Sequence, residues 1–124
     1  MSQPDTVQAL HDLVMASLED DQALDIVNIP LAGKSVIADY MVIASGRSTR
    51  QVASMANKIA ERLHKELGRS VKMQGLAAAD WVLIDAGDVI VHIFRPEVRQ
   101  FYALERMWAM DPPAAEKMRP EADA

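Results

Sequence analysis

The sequence has no cysteine among its 124 residues and only three histidines. The first absence excludes disulfides, thiol nucleophiles and thiolate metal sites, and the second leaves few side chains for other metal chemistry. Long apolar runs are also missing, since a bilayer span needs ~20 apolar residues and the longest runs here are strand-sized. The N-terminus lacks the basic and then apolar order of a signal peptide. We therefore expect a soluble, cytoplasmic protein without membrane contact.

The length and the composition fit one domain. Half of the residues are apolar, which suits a single hydrophobic core, because domains usually contain ~100 to 150 residues. After residue 110 the composition changes to proline, alanine and charge. We expect a single domain over residues 1–110 and a disordered, acidic, proline-rich tail over residues 111–124.

The net charge of −5 is unevenly distributed. Residues 1–22 carry five acids and no Lys or Arg, and residues 111–124 carry four acids against two cations. Residues 23–110 hold eleven Lys or Arg against nine Asp or Glu. The acidity therefore belongs to the ends of the chain, and the body of the domain is slightly basic.

Periodicity and turn residues predict an alternation of helices and strands. The predicted elements are, in chain order, a helix on Val7, Leu10, Val14 and Leu18, strands Ala23–Ile29 and Asp39–Ser45, a helix capped by Ser48 or Thr49 and ending at Leu67, strands Ser70–Gln74, Trp81–Ile84 and Val89–Phe94, and a helix opened by Arg95-Pro96. Turn residues indicate that the first two strands and the last two strands form hairpins. The helix between strands indicates a right-handed crossover into a parallel pair. The order predicts an α/β fold, a mixed five-stranded sheet flanked by helices.

The Asp80-Trp81 pair is the strongest candidate for contact with a partner. Trp81 begins a strand after three alanines and Asp80, so it is either a core residue or an exposed anchor for a partner's pocket, where Trp is common. Arg99 and Tyr102 share one flank of the last predicted helix, where plain surface and partner contact both fit. Glu105 falls inside the apolar stripe of that helix, so it either pairs with a basic side chain or marks an interface.

Four cations, Lys58, Arg62, Lys65 and Arg69, recur at helical spacing and predict one basic stripe. A solvated helix face is the common explanation of such a stripe, and the sequence lacks a nucleic-acid recognition motif and an aromatic stacking platform. Weak or auxiliary contact with RNA is the alternative.

The residues give little support for catalysis. His92 lies in the middle of an apolar strand, which favours a hydrogen-bonded core histidine over a general base. Asp85 and Asp88 flank Gly87 in a turn, where Asp side chains stabilise the reversal. Gly46-Arg47-Ser48 is too short for a glycine-rich phosphate loop. We expect no enzymatic activity, no cofactor and no metal.

Four segments, taken in order, resemble the ribosomal silencing factor family, also called Iojap-like. They are Asp39–Arg50, Ala79–Trp81, Asp85–Phe94 and Arg99–Trp108, and the resemblance spans about residues 5–109. It implies a mixed α/β fold with a nucleotidyltransferase-like topology that lacks the catalytic carboxylates. It also implies that the chain binds the large ribosomal subunit through its fourteenth large-subunit protein, and so blocks the joining of the small subunit when nutrients are short.

The resemblance also carries the family's docking surface onto this chain. The matching positions are Asp80, Trp81, Asp85, Asp88, Arg99, Tyr102 and Glu105. The implied function is translational repression by steric exclusion, and an RNA-binding or nucleotide-binding module is the alternative. An exposed docking patch on a small domain is liable to pair with its own copy, so we also expect a homodimer.

Overall fold

The computed structural model describes residues 6–33, 36 and 38–97. This part of the chain forms two helices and five strands: α1 (Thr6–Asp20), β1 (Leu24–Pro30), β2 (Tyr40–Ser45), α2 (Thr49–Leu67), β3 (Lys72–Gln74), β4 (Trp81–Asp85) and β5 (Val89–Phe94). The bounds differ from the predicted ones by no more than about two residues, the usual uncertainty of an element's ends. The last predicted helix beyond Glu97 and the expected tail lie outside the described residues.

The five strands form one mixed sheet in the order β1-β2-β5-β4-β3. Both predicted hairpins are confirmed, because β1 pairs antiparallel with β2, and β4 with β5. The predicted parallel pair is wrong in its partner: β2 pairs in parallel with β5, and β3 lies at the far edge against β4. Burial explains the difference. Every residue of β5 is buried, as a central strand requires, whereas β3 is short and partly exposed.

The two described helices pack against one face of the sheet. Leu10 and Val14 of α1 join Val52 and Ile59 of α2 and the inward side chains of the strands in one apolar cluster. The opposite face carries a second buried cluster, with these members: Leu31, Ala38, Met41, Ile43, Trp81, Leu83, Ile90 and Phe94. Successive residues of β4 enter different clusters because strand side chains alternate between the two faces. No helix of the described residues is long and apolar enough to span a bilayer.

Helix α2 begins and ends at the predicted capping residues. The Oγ of Ser48 accepts a hydrogen bond from the N–H of Gln51 at 3.1 Å, and Gly68 donates its N–H to the carbonyl of His64 after the last turn. Five residues of α2 are buried and form its core face: Val52, Met55, Ala56, Ile59 and Leu63. Leu67, the last residue of the helix, is 39% exposed, since it follows the final buried turn.

Replacing Ser48 by Ala is expected to lower the free energy of unfolding by about 1 kcal/mol, because the N–H of Gln51 loses its acceptor at the helix start. Urea denaturation of the variant measures the change. Ser54→Ala, at an exposed position of the same helix, is the matched control and is expected to change stability by less than about 0.5 kcal/mol. Equal losses in the two variants would contradict the capping role.

Candidate functional site

Asp80 joins the two strand ends at the open side of the β4–β5 hairpin. Its Oδ1 lies 2.8 Å from the Nε of Arg95, and its carbonyl accepts the N–H of Arg95 at 3.0 Å. The side chains of Asp80 and Arg95 are 47% and 34% exposed, so the ion pair stands at the surface. Sequence reasoning missed Arg95. A signal was present, since the predicted hairpin sets Trp81 opposite Phe94 and therefore Asp80 opposite Arg95.

A tight loop leads into Asp80. The N–H of Ala79 donates to the carbonyl of Gly75 at 2.9 Å, and Ala79 has a φ of 57°. An L-residue other than glycine pays about 1–2 kcal/mol for this left-handed conformation. Ala79 is buried in the helix-side cluster, so packing holds it there. The loop therefore sets the direction in which the chain enters Asp80.

Trp81 is a core residue, which is one of the two alternatives that its sequence position left open. Only 7% of it is exposed. Its Nε1–H donates to the Nδ1 of His92 at 2.8 Å, and its ring centroid lies 5.0 Å from that of Phe94. The exposed-anchor alternative does not describe this buried ring. Trp81 therefore acts in a docking site by packing beneath the exposed residues and not by direct contact with the partner.

The predicted core position of His92 is confirmed, since the residue is 2% exposed. The indole N–H of Trp81 can only donate, so Nδ1 of His92 is the acceptor in their hydrogen bond. A neutral imidazole that accepts at Nδ1 carries its proton on Nε2. The pair ties the first residue of β4 to the middle of β5.

The turn between β4 and β5 uses the side chain of Asp85 as the sequence predicts, whereas the bonds of Asp88 come from its backbone carbonyl. The Oδ1 of Asp85 accepts the N–H of Gly87 at 2.9 Å, and Gly87 takes a φ of 89°. The carbonyl of Asp88 accepts the N–H groups of Asp39 and Tyr40 at 2.8 and 3.2 Å. Backbone and side-chain bonds therefore hold the turn against the start of β2.

Arg69 ties the same turn to the end of α2. Its Nη1 donates to the carbonyl of Ala86 at 3.1 Å. Arg69 follows Gly68, where the helix stops, so it is not part of the helical stripe that the spacing predicted. The stripe on α2 therefore consists of Lys58, Arg62 and Lys65.

The predicted contact residues of the hairpin are spread along its length. Asp80 precedes β4 and Asp85 ends it, which puts about 16 Å between their Cα atoms at ~3.3 Å per residue. Trp81, Leu83 and Asp85 alternate onto the face of the sheet away from α1 and α2. The side chains between the two ends are buried, so the candidate site consists of the partly exposed carboxylates at the ends, Asp80 at one and Asp85 and Asp88 at the other. Three further predicted contact residues lie outside the described part of the chain: Arg99, Tyr102 and Glu105.

Two cations of the stripe contact acids of the same chain. The Nη1 of Arg62 lies 3.1 Å from the Oδ2 of Asp20, at the end of α1, and its Nε lies 3.4 Å from the Oε2 of Glu66. The Nζ of Lys58 lies 4.0 Å from the Oδ1 of Asp21. The helix face is therefore partly neutralised from within the molecule.

A shallow cleft of about 330 Å³ lies at the N-terminal end of α2. Its lining residues are Asp21, Ser48, Arg50, Gln51, Ser54 and Met55. Charges of both signs meet there, and the polar atoms of Ser48 and Gln51 bond within the protein. The cleft therefore has no single ligand chemistry. Across the described ranges, no group of three or more His, Asp or Glu could hold a metal ion.

Comparisons with known proteins agree in both sequence and structure. A family model described as "Ribosomal silencing factor during starvation" matches residues 4–124. The chain is 66% identical over 101 residues to the ribosomal silencing factor RsfS of Zymomonas mobilis, covering 82% of this chain and 76% of the relative. It is 35% identical over 103 residues to a mouse protein named mitochondrial assembly of ribosomal large subunit protein 1, covering 80% of this chain and 45% of the relative.

Among solved structures, the crystal structure of a Chromobacterium violaceum protein is similar, with a TM-score of 0.78 and 32% identity. The match covers 94% of this chain and 92% of that one. The predicted α/β fold with a mixed five-stranded sheet is thereby confirmed.

Proposed function

The chain belongs to the ribosomal silencing factor family, and we propose that it represses translation by binding the large ribosomal subunit and blocking the joining of the small subunit. Family membership implies ribosome-associated regulation of translation, which is a regulatory rather than a catalytic role. The name of the mouse relative connects that protein with assembly of the mitochondrial ribosomal large subunit. A domain bound where the small subunit would join represses translation by steric exclusion, so the mechanism needs no catalysed reaction.

The observation that carries this proposal is the set of partly exposed carboxylates at the two ends of the β4–β5 hairpin. Asp80 stands at one end, and Asp85 and Asp88 stand at the other. Between them, the buried Trp81 is hydrogen-bonded to His92, which stiffens the hairpin. A rigid element loses little conformational entropy on binding. Asp80 is paired with Arg95, so the acidic character lies at the turn end, where Asp85 and Asp88 would complement a basic partner surface.

The proposed partner on the subunit is its fourteenth large-subunit protein. The proposed contact set is completed by Arg99, Tyr102 and Glu105, which lie outside the described residues. The same site is proposed to pair two copies of the chain when no subunit is bound, because a docking site on a small domain is liable to pair with its own copy. Dimer and subunit then compete for one surface.

Gradient sedimentation of purified subunits, with and without the protein, tests the function. The expected result is fewer joined ribosomes, with the protein migrating together with free large subunits. Unchanged joining at a saturating concentration of the protein would overturn the proposal.

Asp88→Lys is expected to weaken binding to large subunits about tenfold, because it reverses a charge that faces a basic partner. The fold should survive, since the backbone carbonyl of Asp88, not its carboxylate, bonds Asp39 and Tyr40. Glu61→Lys makes the same charge change at an exposed position of α2. This helix packs on the other face of the sheet, so the variant is expected to alter binding less than about twofold. Equal weakening by both variants would count against the hairpin as the site.

A further inference from the structure

The C-terminal end of α1 lies along the basic stripe of α2, made of Lys58, Arg62 and Lys65. The carboxylate of Asp20 meets the guanidinium of Arg62 at 3.1 Å, and that of Asp21 lies 4.0 Å from the ammonium of Lys58. Lys58 and Arg62 are one helical turn apart, about 6 Å along the axis. Two adjacent acids therefore face two successive cations of one helix face.

Contacts that involve neither carboxylate hold this acidic end in place. The Nε2 of Gln51 donates to the carbonyl of Asp21 at 3.2 Å, and the Nη1 of Arg47 donates to the carbonyl of Gln22 at 3.2 Å. Leu18, in the last turn of α1, is fully buried. Because backbone bonds and packing position this segment, its carboxylates can be neutralised without displacing it.

We propose that the stripe on α2 is a latent binding surface for duplex RNA, and that Asp20 and Asp21 hold two of its three cations, Arg62 and Lys58, away from RNA. Carboxylates accept hydrogen bonds from Arg and Lys as phosphate oxygens do. A cation already paired within the protein releases no counterion from RNA, and counterion release is the main source of sequence-independent affinity for nucleic acids. The acids therefore occupy the positions that phosphates would take.

Asp20 and Asp21, here called the guard, contribute to the choice of partner. A domain with an open basic helix face would bind RNA without regard to sequence, because phosphates are present at every nucleotide. Occupying two of the three cations weakens that competing mode and leaves recognition to the rest of the surface. Repulsion against wrong partners sharpens selection of the right one in the same way. Glu66 keeps its own contact with Arg62 at 3.4 Å, so removal of the guard opens the face only in part.

The test uses the full chain with Asp20→Asn and Asp21→Asn together and a 20-base-pair RNA duplex as the probe. Fluorescence anisotropy at low salt is expected to show about a tenfold gain in affinity over the parent chain, and a salt dependence steeper by about one to two released ions. Unfolding curves of both proteins establish that the variant is folded. A folded variant without a gain in affinity would overturn the proposal.

Two further variants separate the specific effect of the guard from the general effect of a less negative net charge. Asp12→Asn with Glu97→Gln removes two exposed acids elsewhere and is expected to raise RNA affinity less than about twofold. Adding Lys58→Gln and Arg62→Gln to the guard variant is expected to abolish its gain. An equal gain in the first control, or a gain that persists in the second, would refute the latent surface. No ribosome is present, so the outcome is independent of the proposed repression.

Discussion

Trp81→Ala is expected to lower the free energy of unfolding by about 3–5 kcal/mol, the usual range for deleting a buried large aromatic side chain. The ring belongs to the cluster on the outer face of the sheet and packs 5.0 Å from Phe94. The substitution also removes the N–H that donates to the Nδ1 of His92. Chemical denaturation, with circular dichroism as the signal, measures the loss.

Trp81→Phe is the matched variant. It keeps an aromatic ring but loses the indole N–H, so the expected cost is about 1–3 kcal/mol, from the unmade hydrogen bond and the smaller ring. A Trp81→Ala variant that loses less than about 1 kcal/mol would show that the ring is an exposed anchor after all. Because Trp81 is buried, weaker subunit binding by Trp81→Ala reports on folding as well as on contact. Asp88→Lys is therefore the cleaner test of docking.

Gly46→Ala is expected to destabilise the fold by about 1–3 kcal/mol through overpacking. A Cβ at this position would lie 2.9 Å from both the Cε of Met55 and the Cγ2 of Val52, and 3.2 Å from the backbone nitrogen of Val52. The methionine end can swing away, but the first turn of α2 cannot move without shifting the helix. Thermal and urea unfolding of the variant give the magnitude.

A double-substitution cycle identifies the cause of that loss. Combining Gly46→Ala with Val52→Ala removes one of the two closest atoms, so the loss in the double variant is expected to fall below the sum of the single losses. Strictly additive losses would speak against the steric explanation. The effect is expected to extend to the candidate site, because Gly46 donates its N–H to the carbonyl of Phe94 at 2.8 Å, next to the Asp80–Arg95 pair.

Local features of this protein could be read from the sequence. Ser48 caps α2 because a hydroxyl and a free helix N–H lie within one turn. Asp85 and Gly87 form the β4–β5 turn because the bonds involved join near neighbours in the chain. His92 was predicted to be buried because every residue around it in the strand is apolar. The family resemblance rests on such short segments taken in order.

The candidate site was predictable only in part. The hairpin that carries Asp80, Asp85 and Asp88 follows from its turn, and its register even implies the pairing of Asp80 with Arg95. The burial of Trp81 does not follow, because three alanines before a tryptophan fit a core position and an anchor equally well. The cluster that buries it also contains Met41 and Ile43 of β2, which are distant in the sequence.

The sequence by itself determined which segments are helices and strands, where they turn, and which family the chain resembles, because those properties depend on residues within a few positions of each other. Only the tertiary structure decided that β5 lies between β2 and β4, that Trp81 is buried, and that Asp20 meets Arg62 across 42 residues. Such contacts depend on which apolar faces are buried together in three dimensions. The guard on the basic stripe is therefore a property of the folded protein that no local pattern contains.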